Sequence, residues 1–339
     1  MKFDSSVIKS TAVKPGWQDL VKKYQSPDNW RSIWQIINSF VPFFLLYYLM
    51  YRSLSFSYGS YGLVLLLALP AAGLLMRIFI IQHDCGHGSF FRSSRANGIV
   101  GTICGVLTLT PYHQWRHEHA IHHATSGDLE RRGVGDVATL TVKEYLALSR
   151  WGRFCYRFYR HPLTLLLIGP QYVFMLRHRL VGKTSRRRER NSVYLTNAML
   201  LAVFLSLGLT IGFKNLFLIW LPVQTISGAI GVWLFYVQHQ YENTYWQRGD
   251  EWDYGTAALM GSSYYKLPRV LQWFSGNIGL HHIHHLSPKI PNYKLQRCHE
   301  ENALFQEATV IRFWESLKAG SLRLWDEERQ KLVGFGQLE

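Results

Sequence analysis

The sequence is poor in cysteine and in acidic residues, and both shortages narrow the classes of protein that it can encode. Its four cysteines, Cys85, Cys104, Cys155 and Cys298, form no CxxC pair, so a disulfide framework and a ferredoxin-type cluster are not expected. There are 22 Asp and Glu residues against 37 Lys and Arg, a formal net charge of +15. No glycine-rich dinucleotide fingerprint is present either. Any redox chemistry would therefore draw its electrons from another protein.

Asp, Glu and His are missing from four long apolar stretches. Each approaches the roughly 20 residues that cross a bilayer as a helix, and they cover residues 33–51, 61–82, 192–213 and 216–237. Two shorter apolar pieces, 98–110 and 162–176, are expected to be interfacial or re-entrant. The pattern predicts an all-α membrane protein with four transmembrane helices in two hairpins, interfacial helices and a helical cytoplasmic cap. A histidine-rich metal transporter would need polar ligands at the bilayer midplane, so the lack of Asp, Glu and His in the spans disfavours this class of protein.

The basic residues predict the orientation of the spans. The connection at 52–60 contains a single basic residue, Arg52, and the turn between the last two spans is essentially Lys214 and Asn215. Every other Lys and Arg lies on the opposite side, including the basic run 177–190. The positive-inside rule then places both termini and the polar mass in the cytoplasm, and in a bacterium the protein would lie in the inner membrane.

We expect three regions along the chain: a cytoplasmic N-terminal segment (1–30), one domain that contains all four spans (31–325) and a C-terminal tail (326–339). Arg77 is expected to snorkel at the membrane interface. His83 follows six residues later, about 9 Å further along a helix, and so lies just outside the hydrocarbon on the cytoplasmic side.

Three histidine clusters fall on this same side of the membrane. Their spacings are HxxxH once and HxxHH twice, and on a helix residues three and four apart share a face, as metal ligation requires. The clusters comprise His83 and His87; His119, His122 and His123; and His281, His284 and His285. So many imidazoles suit two ions, and they are compatible with iron, copper, zinc or nickel. The chain lacks the Glu-x-x-His pairs of soluble di-iron proteins, so such a site would consist mainly of nitrogen ligands.

The sequence around each cluster resembles one of the three histidine boxes of the membrane fatty acid desaturases, nearest to the delta-12/omega-3 acyl-lipid type and its bacterial relatives. The matching segments are "HDCGHGSFF" at 83–91, "HAIHHATSGDLERRGVGD" at 119–136 and "GNIGLHHIHHLSPKIPNYKL" at 276–295. The likeness extends over about residues 30–325 and includes "QHQYENTYW", where relatives supply a further histidine, here His239.

This resemblance implies a centre of two non-haem Fe ions, dioxygen as co-substrate and the formation of a cis double bond in the acyl chain of a lipid. It assigns the metal to His83, His87, His119, His122, His123, His239, His281, His284 and His285. The extra histidines of boxes two and three, His117 and His282, are expected to be neighbours of the ligands. The electron donor would be a ferredoxin or a flavodoxin, with a b-type cytochrome as the less favoured choice. Membrane hydroxylases and carotenoid-modifying oxygenases carry the same boxes and are the alternative, as is a metal-binding scaffold without catalysis.

Two further sets of residues have more than one interpretation. Four polar residues beside the boxes could orient imidazole N–H groups, or could cap helices and pair with Arg131 and Arg132: these are Asp84, Asp128, Asp136 and Asn277. Aromatic residues could line an apolar tunnel for the lipid tail, or could serve core packing and the interfacial belt. They are those of the first span and the pairs at 90–91, 264–265 and 273–274.

Overall fold

A computed structural model describes residues 16–55, 60–183 and 185–338. After a short helix α1 (Trp17–Lys22), the first hairpin consists of α2 (Asn29–Ser53) and α3 (Ser60–His87). The second hairpin consists of α9 (Arg187–Ile211) and α10 (Phe213–His239). All four helices are long and apolar enough to cross a membrane. The four predicted spans are confirmed. Three helices extend one to five residues beyond the predicted limits at each end, whereas α9 begins five residues earlier and ends two residues earlier than predicted.

The structure describes the turn between α9 and α10 in full and the connection between α2 and α3 only in part. Between α9 and α10 the turn is at Gly212, whose φ of 85° lies in a region that favours glycine. The prediction of a turn at Lys214 and Asn215 is therefore wrong, since these residues belong to the first turn of α10. The first connection was expected at 52–60, and its residues 56–59 lie outside the described part of the chain.

Helix α3 is the central element of the bundle. In its most apolar window 67% of the residues are buried, against 11% in α9. With 28 residues it is about 42 Å long, which exceeds the hydrocarbon thickness of roughly 30 Å. Its C-terminal turns, which carry His83 and His87, therefore extend beyond the apolar layer.

Arg77, in the middle of α3, does not snorkel. Its side chain is 7% exposed, and its guanidinium lies 4.1 Å from the ring centroid of Trp273. Nε donates to Ser39 Oγ at 3.1 Å, and Nη1 donates to the carbonyl of Trp273. The expectation of an interfacial arginine is wrong because the cap covers this part of the helix and supplies the acceptors. Arg77 thus joins both helices of the first hairpin to the cap.

The segment between the hairpins contributes helices beside and above the spans. They are α4 (Ser94–Leu107), α5 (Tyr112–Thr125), α6 (Val142–Ala147), α7 (Arg150–Tyr159) and α8, a helical run over 164–179. Within α8, π-helical turns at Thr164–Ile168 and Tyr172–Leu176 flank a short α-helical piece, and a 3-10 turn, Arg177–Arg179, ends the run. The two short apolar pieces of the sequence correspond to α4 and α8.

The cap is completed by the chain after α10. Its helices are α11 (Tyr254–Met260), α12 (Arg269–Phe274), α13 (His281–Leu286), α14 (Asn292–Glu300) and α15 (Ala303–Gln306). It also contains two small sheets that the sequence did not suggest, built from β1 (Leu140–Thr141), β2 (Tyr264–Lys266), β3 (Val310–Arg312), β4 (Leu324–Asp326) and β5 (Lys331–Val333). Strand order is β1-β4-β5 in one sheet, and β2 pairs with β3 in parallel in the other.

The last residues of the chain continue this fold. Strand β5 pairs antiparallel with β4, and two of its residues, Leu332 and Val333, are buried. Trp325 at the centre of β4 is 1% exposed. The region described in sequence terms as a tail therefore packs on the cap as far as residue 338.

Candidate metal centre

Nine histidine side chains meet in the cap, directly above the ends of α3 and α10. They form two groups, and within each group the candidate ligand atoms lie within 4.8 Å of one another. Group one contains His83, His87, His119, His123 and His284, and group two contains His122, His239, His281 and His285. These are the nine positions that the resemblance assigned to the metal, so the structure brings all of them together.

Each group draws on helices that are far apart in the sequence. His83 and His87 come from the end of α3, and His239 is the last residue of α10. Helices α5 and α13 supply the rest, and each of them divides its histidines between the groups. On α5 the pair His119 and His123 belongs to group one and His122 to group two, whereas α13 places two residues in group two and one in group one.

The division follows from helix geometry. Residues four apart lie about 40° apart around a helix axis, whereas consecutive residues lie about 100° apart. The i,i+4 pairs therefore stay together, and the histidine just before the second member points elsewhere. The expectation that each HxxHH triplet presents its imidazoles to one side is wrong in this respect.

The imidazole nitrogens converge at distances that suit coordination. In group one, Nε2 of His123 lies 3.1 Å from Nε2 of His119 and 3.0 Å from Nε2 of His284. In group two, Nε2 of His281 lies 3.0 Å from that of His239 and 3.1 Å from that of His285. Two nitrogens that bind one ion at about 2.1 Å and at right angles would be about 3.0 Å apart. The geometry therefore fits two metal ions, one in each group.

Acceptors outside the groups hold several of the rings. His122 Nδ1 lies 2.5 Å from Asp136 Oδ1, His83 Nδ1 lies 3.2 Å from Asp84 Oδ1, and His239 Nδ1 lies 3.1 Å from the carbonyl of Gly261. An Nδ1–H that is bonded in this way leaves the lone pair on Nε2, facing the group. Nε2 of His122 is buried and has no hydrogen-bond partner among the described residues. A metal would satisfy that nitrogen.

Of the four polar residues considered from the sequence, two contact imidazoles and two do not. Asp84 also accepts from Asn292, through the backbone N at 2.7 Å and Nδ2 at 2.8 Å. Asp128 instead caps its own turn and pairs with Arg131 at 2.5 Å. Asn277 donates to the carbonyl of Asn292 at 3.2 Å. Asn292 lies in the third matching segment, but its role was not predicted from the sequence.

Burial keeps five imidazoles of the cap in the neutral form that binds metal. It lowers the pKa of five histidines on α5 and α13 well below 6.5, and the neighbouring imidazoles lower it further. This holds for His119, His123, His281, His284 and His285. Because a protonated imidazole cannot be a ligand, the low pKa favours metal binding at neutral pH.

The remaining histidines lie outside both groups. His282 is buried, and its Nε2 donates to the carbonyl of Phe305 at 2.9 Å. His117 is half-buried on α5. Neither belongs to a group, as expected for neighbours of the ligands. Two aromatic contacts were not anticipated: Trp115 stacks on His119 with ring centroids 4.5 Å apart, and Phe235 packs 5.1 Å from His122.

An apolar cavity of about 370 Å³ runs from the histidine groups into the bundle. His83, His119 and His281 line its upper end. Below them, the walls come from α3, α8 and α10, including Met76, Phe79, Val173, Gly228 and Gly231. Its size and largely apolar lining are those of a site for a small hydrophobic molecule or chain.

The aromatic pairs considered from the sequence do not line this cavity. Phe90 is fully buried in the core between the first hairpin and α4, and Tyr265 donates to or accepts from Ser316 Oγ within the cap. The ring of Phe274 packs against Gly73. Core packing, the other interpretation, is what the structure shows for Phe90, Tyr265 and Phe274, whereas Trp273 is partly exposed and contacts Arg77. The true walls were not predictable from the sequence, because their glycines, aliphatic residues and aromatic residues such as Phe79 and Phe174 stand in apolar segments with no motif that marks them.

Four spans beneath a cap that gathers nine imidazoles define an integral membrane protein with a candidate metal centre. The family model "Fatty acid desaturase" matches residues 58–316, which is well over half of the chain. The chain therefore belongs to the fatty acid desaturase family, as the three boxes predicted, and so to the oxidoreductases.

Its relatives agree with this assignment. It is 48% identical to a fatty acid desaturase of Bacillus subtilis (strain 168), over 93% of this chain and 89% of the relative. It is 33% identical to an endoplasmic reticulum omega-3 fatty acid desaturase of Vigna radiata var. radiata, over 67% of this chain and 61% of the relative. An sn-1 acyl-lipid omega-3 desaturase (ferredoxin) of Synechocystis is 32% identical over 67% of this chain and 64% of the relative. The hydroxylase and carotenoid-oxygenase alternatives find no support in these matches.

Proposed function

We propose that the chain is an acyl-lipid desaturase that uses two non-haem irons and dioxygen to introduce a cis double bond. The observation that carries the proposal is that an apolar cavity reaches two all-imidazole groups. His83 and His119 of group one and His281 of group two also line the cavity. The irons, when bound, would supply the oxidising power that an unactivated C–H bond requires. Two hydrogens leave the chain while dioxygen is reduced to two waters, so each turnover consumes two electrons and two protons.

The residues of this chain have three tasks in that reaction. The five histidines of group one would together hold one ion, and the four histidines of group two would hold the other. Asp84 and Asp136 would fix the orientation of His83 and His122 through their Nδ1 atoms. The buried surroundings exclude water, so that the oxidant is spent on the substrate.

The cavity would place the acyl tail against the metal centre. Along α10 its lining extends from Gln224 to Gln238, a distance of about 21 Å. An extended tail could therefore lie beside α10, with the carbons to be oxidised at the level of His83 and His281. The polar end of the lipid would remain at the membrane surface.

The electron donor is proposed to be a small acidic protein, a ferredoxin or a flavodoxin rather than a b-type cytochrome. The net charge of +15 favours an acidic partner. The Synechocystis relative carries the word ferredoxin in its name. The donor would dock on the cytoplasmic surface of the cap, since the positive-inside rule places the cap and both termini in the cytoplasm, at the inner membrane of a bacterium.

The test is the lipid composition of a host that lacks the corresponding double bond. The full chain is expected to produce a new unsaturated fatty acid, detected by mass spectrometry of fatty acid esters, and to contain close to two irons. His122→Ala should lose metal and product together, because His122 belongs to group two. His117→Ala is the matched control on the same helix and should retain both. Full activity of the His122→Ala variant, or of purified protein free of iron, would contradict the proposal.

A further inference from the structure

Helix α7 (Arg150–Tyr159) has one face that the protein does not cover. Its inner side is anchored in the cap: Tyr156 is buried, and its hydroxyl donates to the carbonyl of Arg323 at 2.6 Å and accepts from the backbone N of Leu140 at 3.1 Å. The outer side carries large apolar residues at helical spacing. Trp151 is 70% exposed, Phe154 58% and Phe158 55%. We call these three residues and Cys155 the aromatic face.

Such a face needs an occupant, because soluble surfaces rarely expose several neighbouring aromatic side chains. The helix also carries Arg150, Arg153 and Arg157 and no acidic residue. Aromatic residues on one side of a short basic helix are typical of segments that lie in the plane of a membrane interface. A phospholipid surface fits this combination of charge and side chains.

The position of α7 in the fold supports the same occupant. Only a few residues separate it from α8, which packs along the membrane-spanning helix α10, with Pro170 beside Gly228. Apolar residues are exposed here as well: Leu163, just before α8, and Ile168, Tyr172 and Leu176 within it are each more than half exposed. The aromatic face therefore comes, along the chain, directly before a helix that packs on a membrane-spanning helix and exposes apolar residues of its own.

The last residue of α7 also lines the cavity beside the histidine groups. Tyr159 belongs to its wall together with Gly135 and Val137. The Tyr159 hydroxyl accepts from the backbone N of Ala138 at 3.1 Å, which ties this wall to the helix. Tyr159 and Gly135 are exposed members of the lining, so they mark its mouth.

We propose that α7 lies in the headgroup layer of the leaflet on the side of the cap, with its aromatic face in contact with phospholipid, and that it holds the cavity mouth at that depth. A lipid could then present its tail to the cavity without leaving the bilayer. The position of α7 on the lipid surface does not depend on the metal or on the reaction.

The native cysteines allow a direct test. Cys155 is exposed, whereas Cys85, Cys104 and Cys298 are buried, so a thiol-reactive fluorophore added in detergent should label Cys155 alone. The labelled full chain is then reconstituted into phosphatidylcholine–phosphatidylglycerol vesicles. Nitroxide-bearing lipids are expected to quench the label strongly and aqueous iodide weakly. The control carries Cys155→Ser and Glu328→Cys, which moves the label to an exposed residue of the cap, and should show the reverse.

A second label position tests the mouth. In the Cys155→Ser background, a fluorophore at Ala138→Cys should be quenched by a nitroxide on the lipid headgroup and not by one near the end of the acyl chain. Iodide quenching of position 155 as strong as that of position 328 would overturn the proposal, and so would a label at 155 that neither quencher reaches, because a second protein copy would then cover the face. Quenching at 138 by iodide alone would overturn the placement of the mouth.

Discussion

Asp136 offers a way to perturb one histidine group without touching a candidate ligand. Its Oδ1 lies 2.5 Å from Nδ1 of His122, and its side chain is 11% exposed. Replacing such an outer partner of a metal-binding histidine typically weakens metal binding by about 10- to 100-fold, which corresponds to about 1.4–2.8 kcal/mol. We expect Asp136→Ala to weaken group two by this amount and to leave group one unchanged.

The assay is the release of iron to a chelator of graded strength, followed by elemental analysis of the protein. Wild-type protein should lose its two ions within a narrow range, whereas Asp136→Ala should lose one ion early and keep the other. Asp84→Ala, which removes the partner of His83, should weaken group one instead. Asp128→Ala is the control because its carboxylate binds Arg131 and not a histidine. Equal weakening of both ions by Asp136→Ala would refute the division into two groups.

Three further outcomes are expected. Gly231→Leu should fill part of the cavity and reduce desaturation of long chains while iron content stays unchanged; the backbone can accept the side chain because a Cβ at 231 meets only Met76 Sδ at 3.5 Å. The control Gly62→Leu, at a position with open space around it, should have no effect. Full activity of Gly231→Leu would place the tail elsewhere. In a Cys155→Ser background, which removes the exposed native thiol, a thiol reagent that cannot cross the membrane should label Ser55→Cys and Ser185→Cys from opposite sides. Labelling of both from one side would disprove the two-hairpin topology. Turnover with an added ferredoxin or flavodoxin should fall as salt shortens the Debye length below about 10 Å, whereas sustained turnover with a nicotinamide cofactor alone would show that no separate donor is needed.

The architecture was largely predictable because the bilayer imposes a simple rule on the sequence. A span must be apolar over its length, so the four helices appear as long apolar runs. The structure extends three of these runs at both ends and the third run, α9, only at its N-terminal end. The ends were less predictable, since α3 and α10 continue into the cap, where His83 and His239 are buried by protein rather than lipid. Arg77 illustrates the same limit, because its acceptors come from α2 and α12, far away in the sequence.

The candidate site was predictable in its members and not in its arrangement. Cluster spacing selected the imidazoles, and family resemblance added His239, which has no histidine near it in the sequence. Which histidines share a group depends on how α5 and α13 face each other across the site, and no local pattern contains that information. The same applies to Asp136 and Asp128, which are equivalent candidates in the sequence but have different partners in the structure.

Because α5 and α13 each contribute histidines to both groups, the docking of α13 determines when the centre can be assembled. Group one lacks His284 and group two lacks His281 and His285 until α13 has docked. A ribosome must therefore complete most of the polypeptide, insert all four spans and release the third box before either ion meets its full set of nitrogens. Under the proposed function, delivery of iron would consequently be a late event that follows membrane insertion, and a chain truncated before residue 281 would span the membrane without a complete set of histidines.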